Sequence, residues 1–266
     1  MEILCEIQKR YNEFSDKEKA IADYIMQYKE VIKNANITDL AKTIGTSGST
    51  ITRFAKKVGC ESFVDLKIKL SASKKESNNI NQNDVFSYVY QYYNEAIERT
   101  KYLIDKKTIF NIVKEIKKAR NIYIYGVGSS GLTADEMMQR LLRMGFNTLS
   151  ISDSHMMIIN SSIVSKEDLV IGLSIGGETK EVVQALRICK ENKAKVIAIT
   201  SFEGSSITKY SDINLMVYNP KFIDKDRFIN SQFSVMYVLD LISMVLLKDE
   251  NLREKMQITI DAIIKE

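Results

Sequence analysis

The sequence predicts two domains in series: an all-helical N-terminal domain, then an α/β domain built on a doubly wound parallel sheet of five strands. Three observations predict this. Apolar residues recur at helical spacing through the first quarter of the chain, then give way after residue 121 to short β-rich runs alternating with helical patterns. Charge divides the chain: residues 1–75 hold 14 Lys and Arg against 10 Asp and Glu, while the other 191 residues hold 24 of each. Glycine divides it again, with Gly45, Gly48 and Gly59 early, none between 60 and 125, and eight between 126 and 204.

The first helix is marked by Ile3, Leu4, Ile7, Tyr11 and Phe14. Ser15 followed by Glu18 is a capping box that opens a second helix, with Ile21, Tyr24, Ile25, Tyr28, Val31 and Ile32 along one face. Residues 36–59 have the spacing of a helix-turn-helix. Ala41 is small where two helices cross closely, Gly45 sits at the turn, and Ile51 is the core residue of the second helix. Leu40, Ile44, Phe54 and Val58 complete an apolar seam, and Ser47 caps the second helix. That helix turns Ser49, Thr52, Arg53 and Lys56 outward, with Thr50 and Lys57 at the margins. Short hydroxyls near a helix start reach base edges, and Arg and Lys reach phosphates or guanine. Residues 40–75 carry 8 basic and 2 acidic side chains, so the basic surplus coincides with this segment. The expectation is operator DNA, contacted through Ser47, Ser49, Thr50, Thr52, Arg53, Lys56 and Lys57, by a dimer on paired half-sites. The plain alternative is a helical hairpin with a solvated basic face.

A closing helix carries Phe63, Leu66, Ile68 and Leu70, and the polar stretch 71–84 reads as a linker. Two further helical patterns follow, one with Val85, Tyr88, Val89, Tyr92, Ile97 and Leu103, the next with Ile109, Ile112, Val113 and Ile116. The expected division is a DNA-binding domain over 1–75, a linker and lead-in helix over 76–107, the α/β domain over 108–250 and a C-terminal helix over 251–266.

The expected strands are 122–125, 148–151, 169–173, 195–199 and 213–217, with helices such as 132–143 and 179–191 between them. Ligands of such sheets bind at the carboxyl ends of the strands. Two strand-to-helix loops there are rich in glycine and hydroxyls: G-V-G-S-S-G at 126–131 and S-I-G-G-E-T at 174–179. Their amides, hydroxyls and helix N-termini suit a phosphate joined to a polyol. Gly128, Ser129, Ser130, Ser174, Gly176, Gly177 and Thr179 are the candidate contacts. Glu178 reads as charge at the N-terminus of the helix that follows it. In the alternative, the glycines make tight turns and the serines cap helices. A sharper rival takes G-x-G-x-x-G as a dinucleotide fingerprint, with Asp153 on a ribose, which would make the chain an NAD(H)-sensing repressor.

Several classes are excluded. His155 is the single histidine, so multi-His metal sites are out. Cys5, Cys60 and Cys189 are odd in number and far apart, which indicates neither a zinc ribbon nor a disulfide framework and suits a reducing cytoplasm. The N-terminal residues lack the apolar core of a signal peptide. The apolar stretch 235–247 is broken by Asp240 and Ser243 and falls short of the roughly 20 residues a membrane span needs. No cofactor, metal or membrane partner is expected.

The N-terminal segment resembles the DNA-binding domain of the MurR/RpiR family of bacterial transcriptional regulators. The match runs through L-A-x-x-I-G-T-S-x-S-T-I-x-R-F at 40–54 and K-K-V-G-C-E-S-F-x-D-L-K at 56–67. The rest resembles the family's sugar isomerase (SIS) domain through Y-G-V-G-S-S at 125–130, D-S-H at 153–155, S-I-G-G-E-T-K-E at 174–181 and G-S-S at 204–206. The resemblance implies a cytoplasmic regulator, a homodimer or homotetramer, whose SIS domain binds a sugar phosphate and modulates operator binding. It also implies that Ser174, Gly177 and Thr179 hold the phosphate and that Ser130 touches the sugar. Such loops typically read S-x-S-G-x-T, and this chain departs at Gly176. A phosphosugar isomerase is the enzymatic alternative, but no acid–base constellation is visible and no catalytic residue is expected. His155 reads as a packing or hydrogen-bonding residue, or else as a ligand contact.

Overall fold

The computed structural model describes residues 3–72, 84–219 and 229–264. The expected linker at 71–84 lies, but for its ends, outside them. The described residues fall into two compact units. The first takes in the chain up to Tyr102 together with Tyr218–Asn230, and the second Leu103–Val217 with Ser231–Glu266.

The first unit is helical: α1 (Ile3–Lys9), a 3-10 turn (Tyr11–Glu13), α2 (Asp16–Gln27), α3 (Lys29–Asn34), α4 (Ile37–Ile44), α5 (Gly48–Lys57), α6 (Phe63–Ala72) and α7 (Val85–Leu103). Local signals fix the boundaries. The Ser15 N–H donates to Glu18 Oε2 at 2.9 Å, closing the capping box of α2. Gly45 ends α4 in the left-handed region at φ 74°, and the Thr46 N–H returns to the Ala41 carbonyl at 2.8 Å. Ile7, Ile21, Ile25, Ile51, Phe54 and Leu66 are fully buried and join the helices in one core. Two residues without regular structure complete the unit: the Tyr218 N–H donates to Thr100 Oγ1 of α7 at 3.2 Å, and the Asn219 N–H to Gln8 Oε1 of α1 at 3.1 Å.

The second unit opens with α8 (Lys106–Lys118). It alternates β1 (Ile122–Gly126), α9 (Ser129–Arg143), β2 (Thr148–Ile151), α10 (Ser154–Ile163), β3 (Leu169–Leu173), α11 (Lys180–Glu191), β4 (Lys195–Thr200), a 3-10 helix (Ser206–Tyr210) and β5 (Ile213–Met216). It closes with α12 (Phe233–Leu246) and α13 (Glu250–Ile264). The strands form one parallel sheet in the order β2-β1-β3-β4-β5. Side chains alternate across it. Ile122, Ile124, Ile171 and Ile199 bury against α8, α9 and α12, while Tyr125, Val170, Val196 and Ala198 bury against α10 and α11. The apolar stretch at 235–247 is α12, packed into the first of these cores through Val235, Val238, Leu239, Ile242 and Leu246. Among the described residues no helix is long and apolar enough to cross a membrane. The order reverses between β1 and β3: the chain leaves β1 towards β2 and leaves β3 towards β4. That switch point opens a crevice at the carboxyl ends of β1 and β3.

Candidate functional site

In the first unit the exposed face of α5 carries Ser49, Arg53 and Lys56, four and then three residues apart and so on one side of the helix. Ser47 is the N-cap: its Oγ accepts the Thr50 N–H at 3.2 Å and lies 2.8 Å from Ser49 Oγ and 2.9 Å from Thr50 Oγ1. These hydroxyls sit at the helix start. Thr52 is half-buried, and its Oγ1 donates to the Gly48 carbonyl at 2.9 Å, so it packs the helix more than it presents a donor outward. Lys57 departs from the expectation of a free margin. Its Nζ donates to the Glu13 carbonyl at 2.7 Å, pairs with Glu18 at 3.1 Å and lies 5.2 Å from the centre of the Phe14 ring. Glu13, Phe14 and Glu18 lie far upstream in sequence, so helical spacing, which leaves this lysine at the margin of the face, gives no sign of them. Burial tends to raise the Glu18 carboxyl, but hydrogen bonds from Ser15 and Lys57 outweigh it and hold the group below its ordinary range.

In the second unit, Gly126 at the end of β1 lies opposite Leu173 at the end of β3, so the 126–131 and 174–179 loops emerge side by side. The two loops contain no Lys or Arg, and they present amides, hydroxyls, two helix N-termini and the one carboxylate of Glu178. In the first loop Gly128 holds φ 59°, and its carbonyl accepts from Gly131 and Leu132 as α9 begins. Ser129 is exposed and Ser130 buried on that first turn. A side chain at Gly126 would meet the Ser130 carbonyl oxygen at 2.5 Å, so α9 packs directly on the strand end.

In the second loop Ser174 Oγ lies 2.9 Å from Thr179 Oγ1 and accepts the Gly177 N–H at 3.1 Å. Gly177 holds φ 71°, and a Cβ there would overlap the Ser205 side chain and meet Thr200 Oγ1 at 2.9 Å. Gly176 is different. It is exposed, its φ is ordinary, and a Cβ would meet nothing within 4 Å. Neither backbone nor packing demands glycine there, so the departure at 176 is chemical.

Three other residues take places that spacing did not foretell. Glu178 does not spend its carboxylate on α11: its Oε1 accepts the Ser206 N–H at 2.9 Å, at the start of the 3-10 helix after β4. Asp153 is the N-cap of α10, where its Oδ1 accepts the Met156 N–H at 2.9 Å, which accounts for it without a ribose. His155 is exposed on the first turn of α10, so it is not a packing residue. Sequence reasoning missed Thr200 and Ser205, both buried, which form the seat of Gly177. The G-S-S at 204–206 pointed to Ser205, and nothing in the sequence pointed to Thr200. No cluster of metal-ligating side chains occurs among the described residues.

Against known proteins, the helix-turn-helix domain of the rpiR family matches residues 1–77 and the SIS domain matches residues 115–242. An HTH-type transcriptional regulator of Haemophilus influenzae is 30% identical over 261 residues, covering 93% of this chain and 91% of its own. One of Clostridium perfringens is 30% identical over 265 residues, covering 94% and 93%. Among solved structures, the Vibrio vulnificus NanR protein complexed with ManNAc-6P shares the fold with a TM-score of 0.64 at 24% identity, covering 99% of this chain and 98% of its own. The sugar isomerase domain of an RpiR transcription factor from Sphaerobacter thermophilus gives a TM-score of 0.60 at 18% identity, covering 68% of this chain and 99% of its own.

Proposed function

Since the chain belongs to the rpiR family of helix-turn-helix transcriptional regulators that carry a SIS domain, we propose that it reads operator DNA with α5 and that a sugar phosphate bound across the 126–131 and 174–179 loops modulates that binding. It acts in the cytoplasm, as a homodimer or homotetramer whose paired α5 helices meet paired half-sites. Ser49, Arg53 and Lys56 face the duplex, with Ser47 and Thr50 beside them at the helix start and Thr52 behind. Arg53 and Lys56 supply the salt-sensitive phosphate or guanine contacts, and the hydroxyls reach base edges.

The observation that carries the effector reading is the convergence of two hydroxyl-lined loops at one switch point, free of basic side chains. Ser174, Gly177 and Thr179 hold the phosphate in this reading, Gly176 offers only its amide, and Gly128, Ser129, Ser130 and His155 face the sugar. The NanR complex with ManNAc-6P makes that compound a natural first probe. The ligand is an effector that is bound and not consumed.

Two measurements test this. A thermal-shift screen of sugar phosphates beside NAD and NADH reports binding, because a ligand of the native state raises the melting temperature. Stabilisation by the nucleotides alone overturns the sugar-phosphate reading, and turnover of the stabilising sugar phosphate overturns the regulator reading. In a mobility-shift assay on DNA from its own promoter, Arg53→Ala is expected to weaken binding and flatten its salt dependence. An unchanged affinity and slope overturn the DNA assignment.

A further inference from the structure

We infer that Glu178 is a positioning residue of the second loop, acting on anion affinity through geometry and not through its charge; the inference rests on the reading of that loop as a phosphate site. The 3-10 helix that follows β4 begins without a side-chain cap from its own N-cap residue. Its N-cap residue Ser205 turns its hydroxyl to the Phe202 carbonyl at 2.7 Å, so that side chain caps nothing, and only its carbonyl meets the helix, accepting the Thr208 N–H at 3.0 Å. The cap comes from 28 positions upstream, where Glu178 Oε1 accepts the Ser206 N–H at 2.9 Å. The next residue completes the joint, as the Ile207 N–H donates to the Gly177 carbonyl at 2.9 Å. Consecutive residues 177 and 178 thus hold consecutive residues 207 and 206.

Both ends of this clamp are anchored. Ile207 is fully buried among Val182, Leu186 and Val196. Gly177 is pressed so closely on Ser205 that no side chain fits between them. The clamp fixes Gly177 by its carbonyl, and the Gly177 N–H in turn meets the Ser174 carbonyl at 3.0 Å and Ser174 Oγ at 3.1 Å, with the Thr179 hydroxyl 2.9 Å from that Oγ. A carboxylate in a loop that receives an anion ordinarily repels it. Here the carboxylate is turned to the amide of another helix start, so it serves the loop as a fixed acceptor, and replacing it by a neutral acceptor separates that geometry from its field.

The test compares Glu178→Gln, which keeps Oε1 as an acceptor, with Glu178→Ala, which removes it. Amide shifts of Gly176 and Gly177 are titrated with inorganic phosphate, and hydrogen exchange at Ser206 and Ile207 is followed without ligand. Glu178→Ala is expected to weaken phosphate about tenfold and to speed exchange at both amides. Glu178→Gln is expected to restore both readouts. Tighter phosphate binding by Glu178→Gln overturns the proposal, since the charge would then act through its field. Unchanged exchange in Glu178→Ala overturns the clamp by itself. A wild-type protein whose glycine amides ignore phosphate overturns the anion reading, and the positioning role falls with it, while the exchange result still decides whether the clamp exists.

Discussion

The two glycine loops leave neighbouring strands side by side, yet they are held in different ways. The 126–131 loop is braced by its own helix: Gly126 abuts the Ser130 carbonyl, and Gly131 lies where a Cβ would meet the Gly126 oxygen at 3.0 Å. The 174–179 loop is braced by a distant segment, through Thr200, Ser205, Ser206 and Ile207. Equivalent motifs therefore differ in what they transmit. The first rests mainly on its own backbone, with one outside contact where a Cβ at Gly131 would meet Ser152 Cβ at 3.0 Å, whereas movement of the second must be felt in the turn after β4.

The largest effects should come from filling the two tight glycines. Gly126→Ala and Gly177→Ala are each expected to cost about 3 kcal/mol in denaturant unfolding, from overpacking and, at Gly177, left-handed strain as well. Their rescue separates the loops. Ser205→Gly should recover part of the loss in Gly177→Ala, giving a non-additive double-mutant cycle. No partner substitution should rescue Gly126→Ala, because its obstacle is backbone.

A control at the other end of the strands sharpens the contrast. Asp168, before β3, is buried, which alone would raise its carboxyl. Hydrogen bonds from Asn121 and Ser165 and the Arg120 charge outweigh burial and hold it below the ordinary range. Asp168→Asn is expected to cost about 2 kcal/mol at neutral pH. A depressed carboxyl stabilises fully above its unfolded value of about 4 and loses that contribution as pH falls through the folded value. The wild-type advantage should therefore vanish in acid unfolding, with both loops untouched.

Smaller effects address the ligand. Ser174→Ala should weaken the effector by about 1 kcal/mol and slightly destabilise the loop, since Ser174 also accepts from Gly177. Ser130→Ala should weaken it similarly with no cost in stability. Smallest of all is Gly176→Ser. The open space there predicts a stability change within about 0.5 kcal/mol, and calorimetry should show a several-fold gain in affinity if the added hydroxyl meets phosphate.

Much of the fold was legible because its signals are local. Ser15 with Glu18, Ser47 with Thr50, and Gly45 declare helix ends within a few residues. The strands announced themselves by β-rich runs, and β1 and β4 extend only one residue past their expected ends. What escaped is long-range in sequence. Lys57 meets Glu18 across 39 positions and Glu178 meets Ser206 across 28, and no periodicity encodes such pairs. Asp153 left two readings open for a different reason: its partner Met156 is near, but a cap and the ribose contact of the rival dinucleotide reading call for the same residue.

The pair Tyr218–Asn219 has a consequence for biosynthesis. Gln8 and Thr100 are translated long before the residues whose amides they accept, because the whole of β1 to β5 lies between. The N-terminal unit is therefore not a contiguous gene fragment. A ribosome that has released α1 to α7 has made a unit still awaiting its last strap, and that strap arrives only after the sheet has been synthesised.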